Sequence, residues 1–267
     1  MCSLRWQTHL IQINAFFYKI WLITRKRAFH IFEILFWPAI GLVSVGLLTR
    51  FLELGSNMVA FILIGIIALS VVQVGQLDIS YVLLYSIWNK SLKQEMAAPI
   101  TALHLVLGAW IMGVIHSLLV FCLLSGFSGY AFGFRFYDQG LAPLAAFFFG
   151  LVLSSAVIGI AVCALAFRFG GRAHVGATSI VSIVIVLSGI YYPTEVLPEA
   201  LQKLSMAIPI THFLEYFRAL YGFPASTTRP LTAGYLLAAL YLILALAALL
   251  RAVRQSKKTG ALLKMSE

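Results

Sequence analysis

Apolar residues come in long runs separated by short polar stretches, and six of the runs are long enough to cross a hydrocarbon layer as helices. They cover 31–49, 59–85, 102–127, 142–167, 175–192 and 231–250. A layer about 30 Å thick takes about 20 helical residues, and the fifth run is the shortest of the six. No alternation of apolar and polar positions with period two runs through them. In lipid every backbone N–H and C=O must be paired, so runs without barrel alternation form helices. The predicted fold is an all-α membrane protein with six transmembrane helices, forming a single domain over 1–267.

The stretch before the first run, 1–27, is patterned differently. At 100° per residue, Arg5, Thr8, His9, Gln12, Lys19 and Lys26 gather on one side, with Trp6, Leu10, Ile13, Phe17, Ile20 and Trp21 on the other. Aromatic residues opposite basic ones predict an amphipathic helix lying in the membrane interface. An early apolar h-region followed by a small-residue cleavage site is missing, so a cleavable signal peptide is not expected here.

Two connections stand out. The one at 86–101, SIWNKSLKQEMAAPIT, is helix-forming, mixed in charge and ended by Pro99. The one at 193–230 is far longer, still rich in apolar residues, and punctuated by Pro193, Pro198, Pro209, Gly222 and Pro224. Two short helical patterns fit between its prolines, near 199–207 and 212–221. Helices of about ten residues are too short to span, so this segment predicts an external re-entrant helical hairpin between the fifth and sixth spans.

Composition agrees with the pattern. The chain is 61% hydrophobic and 10% charged, with a mean hydropathy of +0.97, whereas a soluble domain carries about 25% charged residues. A net charge of +10 would suggest a nucleic-acid partner if the basic residues lined one face of a soluble domain. Here they fall between apolar runs, with fourteen of the nineteen Lys and Arg on the side that holds both termini and Arg50, Arg135, Lys203, Arg218 and Arg229 on the other, external side. The positive-inside rule makes that side cytoplasmic. The expectation is a multi-pass protein of a bacterial inner membrane with both termini in the cytoplasm and no nucleic-acid partner. Cys2, Cys122 and Cys163 are far apart and the six histidines are scattered. Neither set has metal-ligand spacing, so no metal and no disulfide framework is expected.

Candidate chemistry is sparse. The chain contains no G-x-x-x-x-G-K-[ST] phosphate loop and no H-E-x-x-H. Gly126-Phe127-Ser128-Gly129 resembles the G-x-S-G nucleophile motif of rhomboid intramembrane serine proteases, yet a serine nucleophile needs a histidine within reach. His174 falls at the opposite face of the membrane, and His116 is roughly 18 Å away along the same helix. A turn of small residues accounts for the motif, and no catalytic residue is assigned. Polar residues inside spans are costly and mark either a translocation path or interhelical hydrogen bonding. Gln73, Gln76 and Ser80 share a helical face in the second span and His116 lies in the third, which makes them candidates for the wall of a translocation cavity. Asp78 points away from the glutamines and is expected to pair with a basic group near the cytoplasmic side.

Two stretches then resemble the ABC-2 type permeases. Leu92-Lys93-Gln94-Glu95-Met96-Ala97-Ala98-Pro99-Ile100, followed by Gly108, is similar to the family's cytoplasmic coupling loop. Leu187-Ser188-Gly189-Ile190-Tyr191-Tyr192-Pro193, continuing through Val196-Leu197-Pro198 to Ile208-Pro209-Ile210-Thr211-His212, resembles the family's external motif series. Ile208 replaces the usual Asn, and the usual Gly-Thr-Leu-Glu opening of the coupling loop reads Lys90-Ser91-Leu92-Lys93. The resemblance implies that Lys90, Lys93, Gln94, Glu95, Met96 and Pro99 couple the chain to an ATPase, with Lys93, Gln94 and Glu95 exposed and Met96 an apolar anchor. It makes Ser188, Gly189, Pro193, Pro198, Pro209 and His212 the re-entrant motif. It also implies a permease subunit of an ATP-driven ABC exporter that is not itself an enzyme, acting as a homodimer in lipid. An ABC ATPase subunit would bind the ATP and Mg, and this chain would bind no cofactor. The exported molecule would be sugar-bearing, lipid-like or drug-like. A secondary transporter not coupled to ATP is the alternative, and would favour discontinuous helices and paired ionisable residues near the midplane. An intramembrane enzyme is a further alternative, for which the chain lacks a workable catalytic set.

Overall fold

The computed structural model describes residues 2–26, 28–97 and 100–259, and among these every regular element is a helix. In chain order they are α1 (Cys2–Lys26), α2 (Ala28–Phe51), α3 (Ser56–Trp88), α4 (Leu92–Ala97), α5 (Ala102–Phe132), α6 (Leu141–Phe169), α7 (Ala173–Leu187), α8 (Glu199–Ser205), α9 (Pro209–Ala219) and α10 (Pro230–Lys258). Single 3-10 turns occupy Gly170–Arg172 and Thr194–Val196.

Five stretches among the described residues are long and apolar enough to cross a membrane: Ile34–Phe51, Ser56–Trp88, Ala102–Phe132, Leu141–Leu187 and Pro230–Lys258. The fourth contains two helices. Gly170, with φ 63°, opens the turn between α6 and α7, which then pack together with Gly176 against Leu165. The fifth predicted run is therefore a 15-residue helix, about 22 Å long at 1.5 Å per residue. It stops at Ser188-Gly189, where Gly189 takes φ 68°. Although α7 is short, the segment from Gly171 to Ile190 follows α3 over much of its length. Gly171 lies against the indole of Trp88, and the Ile190 carbonyl lies against Gly65. Those two positions are about 34 Å apart along α3.

α3 is the axis of the molecule and packs most extensively on α5 and α6. Two apolar clusters surround it. One holds Phe121, Phe136, Phe147, Phe213 and Phe217, at the end of the bundle carrying α8 and α9, the hairpin end. The other holds Phe16, Ile20, Leu92, Met112, Phe167 and Leu249, at the end carrying α4, the loop end. Residues from α1 and the last turns of α10 share this second cluster, so the two terminal helices meet at one end of the bundle.

Small residues let the helices meet closely between the clusters. Ser117 Oγ donates to the Val71 carbonyl at 3.1 Å, and Cys163 Sγ reaches the Ile79 carbonyl at 3.3 Å. A Cβ on Gly159 would lie 2.7 Å from the Cβ of Ile79, whereas one on Gly41 of α2 would meet nothing within 4 Å. Overpacking a tight site costs about 1–3 kcal/mol. Gly159→Leu is therefore expected to lower the unfolding temperature of the purified protein in detergent by several degrees, and Gly41→Leu to leave it unchanged. Equal behaviour of the two variants would contradict this packing.

α1 does more than lie on a surface. Phe16, Ile20 and Thr24 are buried, and Phe16 and Phe17 close on Gly108 of α5, while Leu10 and Trp21 of the predicted apolar face are exposed. At the hairpin end α8 and α9 begin at Glu199 and Pro209 and end two residues short of the predicted patterns. The ring of Phe213 on α9 fills a slot between Gly150 of α6 and Gly234 of α10, and Phe217 stacks on Phe147 at 4.4 Å. The outward faces of α2 and α10 carry Phe36, Trp37, Leu47, Leu240, Ile243 and Leu244 unburied. An apolar surface of that extent suits lipid or another subunit, not water.

Candidate functional site

The α3–α4 turn places Lys90 at φ 56°, and Lys93 and Gln94 face outward. Glu95 faces inward, which corrects the expectation that it is exposed. Its carboxylate lies 2.7 Å from Lys19 Nζ on α1, accepts from Ser91 Oγ at 2.9 Å, and lies 3.0 Å from Ser86 Oγ through either oxygen. Side-chain exposure is 18% for Glu95 against 37% for Lys19. The physical reason is local. Ser91 stands one helical turn before Glu95, and the backbone N–H of Ser91 is tied to the Ser86 carbonyl at 2.9 Å, so this face of α4 folds back onto α3. The Met96 side chain and Pro99 lie outside the described residues.

The polar residues of α3 do not form one wall. Gln76 and Ser80 are buried, and Ser80 Oγ donates to the Gln76 carbonyl at 2.7 Å. Gln73 is exposed and borders a cavity of about 120 Å3 between α2 and α3, with Trp37 and Pro38 opposite. Asp78 finds its partner on α5, with His116 Nδ1 2.7 Å from Asp78 Oδ2 and both side chains buried. A carboxylate only accepts, so Nδ1 carries the proton. The basic group is thus a histidine of α5 inside the bundle, not a residue of the loops.

A second cavity of about 310 Å3 lies among α1, α3 and α4, extending from Lys19 and Glu95 to Asp78. Asp78, Tyr81 and Tyr85 line both cavities. Tyr81, Tyr85, Trp88 and His174 continue this wall toward the loop end as a row of rings with centroids 5.4–6.0 Å apart.

Three of the six motif residues, Ser188, Gly189 and Pro193, gather around a side chain that the sequence marked only as a charge on the side away from the termini, whereas Pro198, Pro209 and His212 do not. Arg218 is 5% exposed. Its Nη1 donates to the Gly189 carbonyl at 2.6 Å, and its Nη2 donates to those of Ile190 at 2.8 Å and Phe61 at 2.9 Å. The guanidinium carbon sits 3.4 Å from the centre of the Phe61 ring. Burial lowers its pKa and Glu215 acts in the opposite direction; a guanidinium stays protonated in proteins. Ser188, Pro193, Thr194, Thr211 and Glu215 surround it and enclose a cavity of about 60 Å3. Pro198 precedes α8, Pro209 opens α9, and His212 Nε2 donates to the Met206 carbonyl at 2.8 Å. One signal was available. Arg218 lies four and seven positions after Leu214 and Thr211, on the buried face of α9.

Among the described residues no group of three His, Cys, Asp or Glu could hold a metal ion. Ser128 of the G-x-S-G stretch donates to the Phe134 carbonyl at 3.1 Å and holds the turn after α5. What the arrangement can do is mechanical: α4 is clasped to α1 and α3 beside a cavity, while a buried arginine pins the hairpin to the far end of α3.

Two comparisons bear on this arrangement. Residues 14–221 match the family described as ABC-2 type transporter, from within α1 to just past α9. A protein of Archaeoglobus fulgidus described as "Uncharacterized protein" is 46% identical over 54 residues, which is 20% of this chain and 84% of that protein.

Proposed function

This chain belongs to the ABC-2 type transporter family, and on that premise we propose that it is the permease of an ATP-driven exporter whose motor is a separate ABC ATPase subunit. The family match over 14–221 carries the proposal. The geometry supports it at the loop end. A six-residue helix is held against the bundle through Glu95 while Lys93 and Gln94 project from it, which suits a contact that passes motion from a partner into α3. The sequence has no phosphate loop, so ATP and Mg would be bound by the partner. The loop end is then cytoplasmic, together with both termini.

The finer architecture follows the same reading. The α7 segment reaches both levels of α3, from Trp88 to Gly65, which supports counting it as a sixth span, with α8 and α9 as a hairpin dipping back on the external side. The largely unburied spans α2 and α10 would face lipid and a second copy of the chain. Cargo is moved outward and is sugar-bearing, lipid-like or drug-like. The buried Asp78–His116 pair is the one feature that favours a secondary transporter. It stands against the family match and the seated α4.

Purified alone, the chain is expected to hydrolyse no ATP. Affinity capture from its own cells should bring with it an ABC ATPase subunit, recognised by its phosphate loop. A Lys93→Asp, Gln94→Asp variant should reduce that capture by roughly tenfold, since wrong-sign contacts at an interface cost more than lost ones. ATP turnover by the chain alone that survives stringent purification, or absence of any such subunit, would sink the proposal.

A further inference from the structure

Resting on the transport reading above, we infer that the loop-end cavities bind an amphipathic organic cation as cargo, with the rings of Trp37, Tyr81 and Tyr85 taking its apolar body and Asp78 its charge. The cavities of about 310 and 120 Å3 share Asp78, Tyr81 and Tyr85 as a common wall. Together they fall within the range of about 300–1,000 Å3 usual for small-molecule sites.

The chemistry of the walls selects the ligand class. Most polar groups at the α4 side are engaged with one another, because Lys19, Ser86 and Ser91 all bond Glu95. An anion would meet a lysine already neutralised at 2.7 Å. A sugar needs many donors and acceptors, and Asn89 and Gln73 are the main ones left. What remains is a set of aromatic faces, whose quadrupoles attract cations, and the carboxylate of Asp78. His116, unlike Lys19, need carry no charge to donate from Nδ1. It bonds one oxygen of that carboxylate and lines neither cavity, so a neutral His116 leaves the acid its charge toward both. A cation with an apolar body uses both kinds of wall at once.

The test compares three probes on the purified full chain in lipid nanodiscs, by calorimetry and by the tryptophan fluorescence to which Trp37 contributes. The probes are benzyltrimethylammonium, its uncharged isostere neopentylbenzene, and methyl glucoside. The ammonium is expected to bind about tenfold tighter than the neutral isostere. Asp78→Asn should erase that preference, since the amide oxygen still accepts from His116 while the charge is gone. If Asp78→Asn fails to fold, Trp37→Leu, at an outward-facing position 65% exposed, should weaken ammonium binding without disturbing the fold. Equal affinity for the charged and neutral probes overturns the inference. So does a preference that survives Asp78→Asn or, where that variant does not fold, Trp37→Leu, and so does tighter binding of the glucoside. Binding is measured without ATP or a partner subunit, so failure here leaves the ATPase-capture result standing, and failure of that capture leaves this one readable.

Discussion

An Arg218→Met variant is expected to accumulate in the membrane at a small fraction of the wild-type level. The guanidinium serves the carbonyls of Phe61, Gly189 and Ile190. Methionine can fill the space but donates nothing, so the Gly189 and Ile190 carbonyls lose their donor, while that of Phe61, inside α3, keeps its helical one. At about 1 kcal/mol or more for each unsatisfied group the loss is at least about 2 kcal/mol, against a total stability of about 5–15 kcal/mol. Arg218→Lys keeps the charge but loses the planar fork that reaches carbonyls on two segments, and should fall between. Gly65→Ala acts on the same contact from the other side, because its Cβ would sit 1.9 Å from the Ile190 carbonyl oxygen. Membrane levels and limited proteolysis of 188–230 read all three. Wild-type levels and protease resistance in Arg218→Met would show that the hairpin is held by something else.

Glu95→Lys should abolish ATPase-coupled transport while the chain still reaches the membrane, and Lys19→Glu should do much the same. The combined swap, Lys19→Glu with Glu95→Lys, is expected to recover a substantial part. The pair is only partly buried, so its direct worth is modest. Reversal nonetheless sets two ammonium groups together and takes the acceptor from Ser86 and Ser91, which costs about 1.5–3 kcal/mol for hydrogen bonds to a charged group. That is sufficient to unseat a six-residue helix held by few other contacts. Recovery in the swap separates a clasp inside the chain from direct contact of Glu95 with the ATPase, since a direct contact would be wrong-signed in both Glu95 variants. A swap no better than the single changes would count against the clasp.

The sequence carried the helices well, because apolar runs of about 20 residues or more leave lipid little choice. It also carried the short elements near 199–207 and 212–221, because proline and glycine punctuate them. It was less able to show direction. Glu95 read as exposed because it sits in a charged loop, and its inward turn depends on Lys19, distant in the chain. Asp78 and His116 are 38 residues apart, and no local pattern pairs them. Arg218 read as an external positive charge although its helical phase matched Thr211 and Leu214. In each case the missing information was the partner on another helix, which periodicity within one helix does not contain. The fifth run was legible as apolar but not as a 15-residue helix ending at a left-handed glycine.

The length of α3 has a mechanical consequence. Its 33 residues make a rod about 50 Å long, well beyond a hydrocarbon layer of about 30 Å, so a turn or more at each end stands clear of the oily interior or the rod leans. Ser86, which is bonded to α4 through Glu95, lies near one tip, and Gly65, gripped by the arginine-held turn, lies on the other arm, about 15 Å past Gly75. Close contacts of Gly75 with Ser117 and Ser155 and of Gly113 with Gly75 fix the middle, and they leave no soft side chain to absorb a push. A rod clamped at its waist and loaded at one tip is a lever. Displacement of Ser86 would reach Gly65 with opposite sign on such a lever, so a sideways tug on the short helix at one end of the bundle would become a counter-swing beneath the hairpin at the other.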